Sequence, residues 1–376
     1  MKTTNELTQQ RIKAIHQKDI LLRALHSGGI SRAELRRQMH LSFPSISALV
    51  DELIADGLLT ESEPGEASGR GRPCRSLQAV SGSRVIPTVS MEPDGYRCRL
   101  CSLCAEVLEE GFLPYALQTD APFIRPLEEW MAKIRADRSP LALLISVPGN
   151  YQGGNLSSSV LKHRPRQGFV DELERSLQLP VFLGNRASYY AYGERNLLRD
   201  SPDFIFLYVG DGVGAGIIKD GGIFGNGPER VGEIGHISID YRGRSCVCGG
   251  RGCLERYVSI PALCEDAGMD FPALCREYRD GNAAVTALLE QAARLLAVGI
   301  SSMLTMQPAE LVVLGGEITA LGPDFLELLS RCAECCGFRK YMDRLNLRYA
   351  RSGPDADLEG ALWYYLDHIL EIRDLL

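Results

Sequence analysis

The 376-residue chain reads as an α/β protein with a separate helical module in front of it. Two observations predict this. Residues 31–59 hold two helical patterns separated by a short turn, as in a helix-turn-helix. Beyond residue 80, short β-prone runs alternate with helical patterns, which predicts an α/β body built from hairpins as well as parallel units. A third feature, a glycine-rich stretch near residue 240 that holds one histidine and three cysteines, places a metal site in that body.

In the N-terminal module, Ser31 and Glu34 have capping-box spacing and predict a helix over 32–39. Ser42 caps a second helix, with Pro44 in the first turn, where a missing N–H is no loss. Ile46, Leu49, Val50, Leu53 and Ile54 form one apolar stripe, and Gly57 ends it. A preceding helix around Asp19–His26 supplies Ile20, Leu21 and Leu25, and Leu58–Thr60 start the β-prone segment where a wing belongs. A three-helix bundle used for protein contact would share this pattern, but the basic tail that follows favours DNA. The outward face of the second helix offers Phe43, Pro44, Ser45, Ser47 and Ala48, none able to make a bidentate base contact. Base reading there is expected to rest on hydroxyl and methyl contacts.

The tail contains Gly69-Arg70-Gly71-Arg72-Pro73 and no apolar pattern. It is either a solvated linker or, like the Arg-Gly-Arg-Pro of AT-hook segments, an arm whose Arg70 and Arg72 enter a minor groove. Charge agrees with this division. Residues 1–80 carry 11 Lys and Arg against 9 Asp and Glu, and the rest carries 30 against 39. The acidic body would be repelled by a duplex, so DNA contact is expected in the N-terminal segment. No leader pattern and no apolar run near the roughly 20 residues of a membrane helix stand out. The 12 cysteines then suggest reduced thiols and metal ligands, hence a cytoplasmic protein without a membrane partner.

Along the body, 85–90, 96–103, 141–149, 181–185 and 204–210 read as strands, with helices near 169–178 and 187–197. Gly210, Gly212, Gly214 and Gly216 are spaced like a dinucleotide fingerprint, but that motif must open a helix. Here a strand and a hairpin turn at Asp220-Gly221-Gly222 follow. Cys98, Cys101 and Cys104 lack the fourth thiol of a ferredoxin run, since Leu108 stands in its place. They read as packing residues, as do Cys332, Cys335 and Cys336 in a helix.

The stretch 232–255, GEIGHISIDYRGRSCVCGGRGCLE, is different. His236, Cys246, Cys248 and Cys253 offer the Cys3His set of a closed, structural zinc site, with no position left for a catalytic water. Glycines at 243, 249, 250 and 252 let the backbone bend tightly enough to converge the thiols. A loop with no core of its own would be folded by its metal.

This stretch, GE-I-GH followed by CxCGxxGCLE, resembles the zinc loop of the ROK family, sugar kinases and sugar-responsive repressors that share one actin-like (ribonuclease H-like) fold. The resemblance implies a two-lobed body over 81–376 with a ligand cleft between the lobes. Lobe one would be 81–184 plus a C-terminal helix over 356–376, and lobe two 185–355 with the zinc loop. In the 1–80 domain, nearly all of residues 10–80 resembles the winged helix-turn-helix and Gly-Arg-Pro stretch of the repressors. Asn185, Glu233, His236 and Glu255 match the family's hydroxyl-binding residues, residues 311–318 its adenosine-side turn, and the Gly210 run its second phosphate loop.

The kinase residues depart from the family pattern at three places. Ser90-Met91-Glu92-Pro93-Asp94 stands where the kinases carry D-x-G-G-T, which adds a carboxylate and removes a donor. Arg186 replaces the catalytic Asp and cannot accept a proton, and Asp211 replaces a Thr. The expectation is therefore not an enzyme but a DNA-binding regulator, a repressor, that senses a sugar or sugar phosphate, with Arg186 placed to meet a phosphate or acid group. Its partners would be an operator duplex and a second copy, as a homodimer or dimer of dimers. The alternatives are an active sugar kinase with a regulatory module, and a DNA-bound scaffold with a collapsed cleft.

Overall fold

The structure is a computed structural model and describes residues 4–62, 75–198, 203–225, 227, 232–337 and 339–375. Three helices come first: α1 (Thr4–Ser27), α2 (Arg32–Met39) and α3 (Phe43–Ala55). α1 starts well before the expected Asp19. Ser31 Oγ accepts from Glu34 N at 3.1 Å, but the reciprocal half of the capping box is absent because the Glu34 carboxylate accepts from Gln38 and Arg37 instead. Ser42 caps α3 in the same way, at 3.2 Å from Ser45 N. Ile46, Val50 and Leu53 of α3 then bury against Ile20, Leu21 and Leu35. The wing is an antiparallel pair, β1 (Leu59–Glu61) with β2 (Leu77–Ala79). Arg32 ties it down through Glu61 at 3.0 Å and Asp51 of α3 at 2.8 Å.

The body holds two sheets of one topology. The first runs β5 (Val107–Pro114), β4 (Gly95–Ser102), β3 (Arg84–Met91), β7 (Leu143–Val147), β10 (Val181–Asn185), with the short β6 (Ser139–Pro140) beside β3. The second runs β13 (Gly222–Ile223), β12 (Val213–Lys219), β11 (Phe204–Val209), β14 (Leu311–Gly315), β15 (Asn346–Tyr349). In each, three antiparallel strands are extended by two parallel ones. β3 and β7 are covered on both faces and read as near-continuous apolar runs.

Helices fill three layers. α4 (Arg125–Ile134) and α5 (Phe169–Leu177) cover the outer face of the first sheet through Leu127, Met131 and Leu173. α7 (Glu255–Val258), α8 (Ile260–Ala267), α9 (Phe271–Arg279), α10 (Ala283–Met306), α11 (Pro323–Glu334) and the short α12 (Arg339–Met342) gather on the second. Between the sheets lie α6 (Arg186–Arg195) and α13 (Ala356–Tyr364). α6 is buried from Arg186 to Glu194. Such a helix has no polar face and shows no amphipathic period. Its start is set by Asn185, whose Oδ1 accepts from Ala187 N and Ser188 N at 2.9 and 3.2 Å.

Three expectations change. α10 is long and apolar enough, by composition, to cross a membrane. It was not singled out in the sequence, and here its Leu289, Leu296, Ile300 and Leu304 pack in the core of the second sheet. The C-terminal segment is not one helix over 356–376. α13 passes into a wider π turn at Tyr365–Ile369, closed by Leu370 N on Tyr365 O at 2.8 Å, and a short 3₁₀ turn follows at Ile372–Asp374. Cys98 and Cys101 are buried on β4, where burial pushes both thiols up to about 11, and Cys104 is half-buried just beyond. Cys332 and Cys336 pack against the core, but Cys335 is exposed where α11 ends.

Candidate ligand cleft and metal centre

The two lobes meet at equivalent hairpin turns, Glu92–Asp94 after β3 and Gly210–Gly212 after β11, and α6 starts between them. Arg186, the first residue of α6, donates to Glu92 and to Asp211, each at 3.1 Å, and also to Met91 O. Its side chain is only 5% exposed. Asp211 further accepts from Tyr208 Oη at 3.0 Å and its neighbour Gly212 N at 2.9 Å, and Glu92 accepts from Arg97 at 3.4 Å. Burial opposes the charge on Arg186, yet Asp211 and Glu92 hold the guanidinium ionised more firmly than usual. Burial also raises the Glu92 carboxyl above its usual range despite Arg186 and Arg97, so desolvation outweighs the ion pairs there. Arg186 was expected as an open cation in the cleft. It lines the cleft, but its charge is taken up by this triad, and only its Nε lacks a partner.

A cavity of about 440 Å³ lies on one side of the triad. It gathers all five expected ligand residues, Asn185, Arg186, Glu233, His236 and Glu255. Asn185 is already engaged, capping α6 and donating to Gly149 O at 2.8 Å. Glu255 Oε2 accepts from Ser159 Oγ and Val213 N, both at 3.1 Å. Sequence reasoning missed the opposite wall, the hairpin of β8 (Asn150–Gln152) and β9 (Asn155–Ser157) with Ser158 and Ser159 after it. Asn150 Oδ1 is shielded from solvent and has no hydrogen-bond partner. The Gly153-Gly154 pair between two short polar runs was the available signal.

On the other side of Arg186 lies a second cavity of about 740 Å³, where Glu92, Asp94, Asp211 and Glu317 face Arg97 and Arg186. Burial, followed by the charge of Asp211, raises Glu317.

The metal residues converge as expected. One ligand atom from each of His236, Cys246, Cys248 and Cys253 lies within 4.8 Å of the others, and this group could hold a metal ion. His236 Nδ1 faces Cys246 Sγ at 3.6 Å, while Nε2 points toward Glu233 at 3.8 Å. One ring nitrogen thus serves the thiol cluster and the other the cleft. Burial, with Cys248 and Cys246 beside it, pushes Cys253 up to about 12, so binding a metal there would displace a proton. Gly252, at φ +67°, passes so close to Asp240 O that a Cβ would lie 1.7 Å from it.

At the DNA module, Phe43, Pro44, Ser45 and Ala48 are exposed, while Ser47 is half-buried. Beside them Arg36, Arg37, His40 and Ser42 line a surface groove. Arg36 and Arg37, in the last turn of α2, were not among the expected contacts. Arg70 and Arg72 lie outside the described residues.

The ROK family model matches residues 142–368. The chain belongs to the ROK family. It is 27% identical over 395 residues to the xylose repressor of Caldicellulosiruptor bescii, covering 96% of this chain and 98% of that one. A crystal structure of a ROK family transcriptional regulator, a homologue of the E. coli Mlc protein, superposes with a TM-score of 0.79 at 24% identity, covering 93% of this chain and 95% of the other. The ROK hexokinase from Thermus thermophilus superposes at 0.63 and 25% identity, covering 98% of the hexokinase but 75% of this chain. The two-lobed ROK fold is therefore shared with kinases, and this chain is longer than the part it shares with the hexokinase.

Proposed function

We propose that this chain is a DNA-binding transcriptional repressor of the ROK type whose kinase-like body senses a sugar without phosphorylating it. Arg186 carries the reading. A kinase needs a base for the attacking hydroxyl and room for phosphates at both hairpin turns. A guanidinium accepts no proton, and Glu92 and Asp211 put carboxylates at those turns. The near full-length likeness to a chain named xylose repressor supports the same reading.

In this reading residues 1–80 bind the operator. Phe43, Pro44, Ser45, Ser47 and Ala48 face bases, Arg36 and Arg37 sit on phosphates, and Arg70 and Arg72 form a minor-groove arm. Residues 81–376 are the sensor, with lobe one formed by 81–184 and 356–376 and lobe two by 185–355. Asn185, Arg186, Glu233, His236 and Glu255 form the ligand site. Zn(II) held by His236, Cys246, Cys248 and Cys253 would have four protein ligands, a structural role that fixes His236 and Glu233 at the cleft wall. A palindromic operator calls for a homodimer or dimer of dimers.

α6 offers the route between sites. Its last turn carries Tyr192 and Arg195, which hold Asp367 at 2.6 and 3.0 Å, and Asp367 in turn holds His26 of α1 at 2.7 Å. A ligand that binds one lobe arrangement better than another would move α6 against α1 and change the spacing of paired DNA modules.

The test is selection of genomic fragments by the metal-quantified protein, followed by challenge with a sugar panel. We expect one zinc per chain, a discrete palindrome, its release by one sugar, and no ATP-dependent product. Selection of no DNA, or turnover of a sugar with ATP, would reject the reading in favour of a kinase.

A further inference from the structure

We infer that the cleft selects an uncharged sugar over its phosphate ester, and that the Glu92–Arg186–Asp211 triad makes this selection. The inference rests on the cleft being a sugar site.

Two features of the cleft lead to it. The first is the state of its cations. Arg186 is the one buried cation among the described lining residues, and two carboxylates already face it at 3.1 Å, so the triad carries a net negative charge. Arg164, the other lining arginine, is exposed at the mouth, where solvent screens it. Glu233 and Glu255 add two more carboxylates to the wall. A phosphate ester brings a charge of about −1.5 to −2 into this surface.

The second feature is what remains unsatisfied. Asn150 Oδ1 is a shielded acceptor without a donor, and Ser159, whose hydroxyl is held by Glu255 at 3.1 Å, lines the same cavity. A shielded acceptor calls for a neutral donor such as a sugar hydroxyl, since leaving it unpaired carries a desolvation penalty. A sugar and its 6-phosphate both keep hydroxyls for this acceptor, so Asn150 points to a polyol ligand and leaves the choice between the two to the charges. Asn150 thus calls for a hydroxyl donor, and the triad supplies the selection by repelling an anion that has no free buried cation to pair with.

The experiment is calorimetric titration of the full-length, metal-loaded protein with aldoses and N-acyl hexosamines, each beside its own 6-phosphate. Like-charge juxtaposition costs several kcal/mol, so the phosphate of the preferred sugar should bind at least about 100-fold more weakly. The variant Glu92→Gln, and separately Asp211→Asn, should free Arg186 for an anion and shrink the sugar-to-phosphate affinity ratio at least about tenfold. A phosphate that binds wild type as tightly as its parent sugar overturns the inference and leaves the sensor reading intact. A ratio unchanged in both folded variants overturns the role of the triad. If neither member of any pair binds, the sugar-site reading fails and the inference with it. The wild-type comparison decides the selectivity even where a variant does not fold.

Discussion

The two ends of α6 use the same chemistry at different depths. At its start Arg186 is 5% exposed and lies between two carboxylates from the turns of opposite lobes. At its end Arg195 is 23% exposed and shares Asp367 with Tyr192 and with His26, whose side chain is 36% exposed. The inner end therefore holds the lobes together at a high cost of rearrangement. The outer end, where water reaches His26 and Arg195, is the one that can exchange contacts. A sensor benefits from this asymmetry, with a fixed grip at the ligand and an adjustable one at the DNA module.

The strongest way to break the comparison is Arg186→Met. It leaves Glu92 and Asp211 facing each other across the lobes with only Arg97, 3.4 Å from Glu92, as a counter-charge, and removing one partner of a buried ion pair costs about 3 kcal/mol or more. We expect a clear fall in denaturation midpoint, with residues 1–62 unfolding no earlier than the body. A variant as stable as wild type would mean that the triad is not what joins the turns.

This triad was not legible in the sequence as a triad. Glu92, Arg186 and Asp211 each stood out as a departure from kinase chemistry, but they come from three separate segments, and only the duplicated topology brings them together. The metal cluster was legible because its ligands fall within 18 residues of chain and its chemistry is set by residue type. The helix-turn-helix was legible for a similar reason, since its caps at Ser31 and Ser42 act over three residues. β5 was missed because it is exposed along its length and lacks clean alternation. His26 and Asp367 lie 341 residues apart, and a π turn aims the carboxylate. Nothing local encodes that contact.

A smaller effect is expected at the outer end. Asp367→Asn weakens bonds from His26, Tyr192 and Arg195 together and should cost about 1–2 kcal/mol. Its informative readout is functional. DNA affinity without ligand should hold, while ligand-triggered release should weaken at least about fivefold, the low end of ordinary coupling energies. Full release by the variant, measured by fluorescence anisotropy on the selected operator, would remove the outer end of α6 from the coupling route.

His26→Ala sharpens the same point. His26 is stacked on Trp363 at 4.5 Å as well as paired with Asp367, and at its exposure the loss should be about 0.5–1 kcal/mol. Combined with Asp367→Asn in a double-mutant cycle, it should show an interaction energy above about 0.5 kcal/mol if the two side chains act as one contact. Strict additivity would mean that the stack on Trp363, and not the ion pair, holds α1 to the body.

The smallest expected effect is that of pH, and its sign differs between the two ends. At the outer end, the rings of Tyr364 and Tyr192 cover part of His368, and this partial desolvation, reinforced by Arg195 and Lys18, lowers it, though Asp367 opposes this. Burial would raise Asp367, but the bonds from His26 and Tyr192 and the charges of His26 and Arg195 bring it below its usual range. Both groups then bind fewer protons in the native state than in the unfolded chain, so each adds stability that is complete above its unfolded pKa. The His368 share is lost as pH falls below about 6.5, and the Asp367 share only below about 4. At the inner end the raised Glu92, among Arg186, Arg97, Asp211 and Asp357, binds more protons when native. Its share is present below about 4.3 and is lost as pH rises through its elevated value. From pH 7.5 to 5.5, hydrogen exchange corrected for its intrinsic pH dependence should therefore quicken slightly at residues 365–370 while the start of α6 stays protected or gains protection. His368→Gln should abolish the change at 365–370. Equal acceleration at both ends would show that α6 loosens as a unit, and the contrast between a fixed and an adjustable end would not hold.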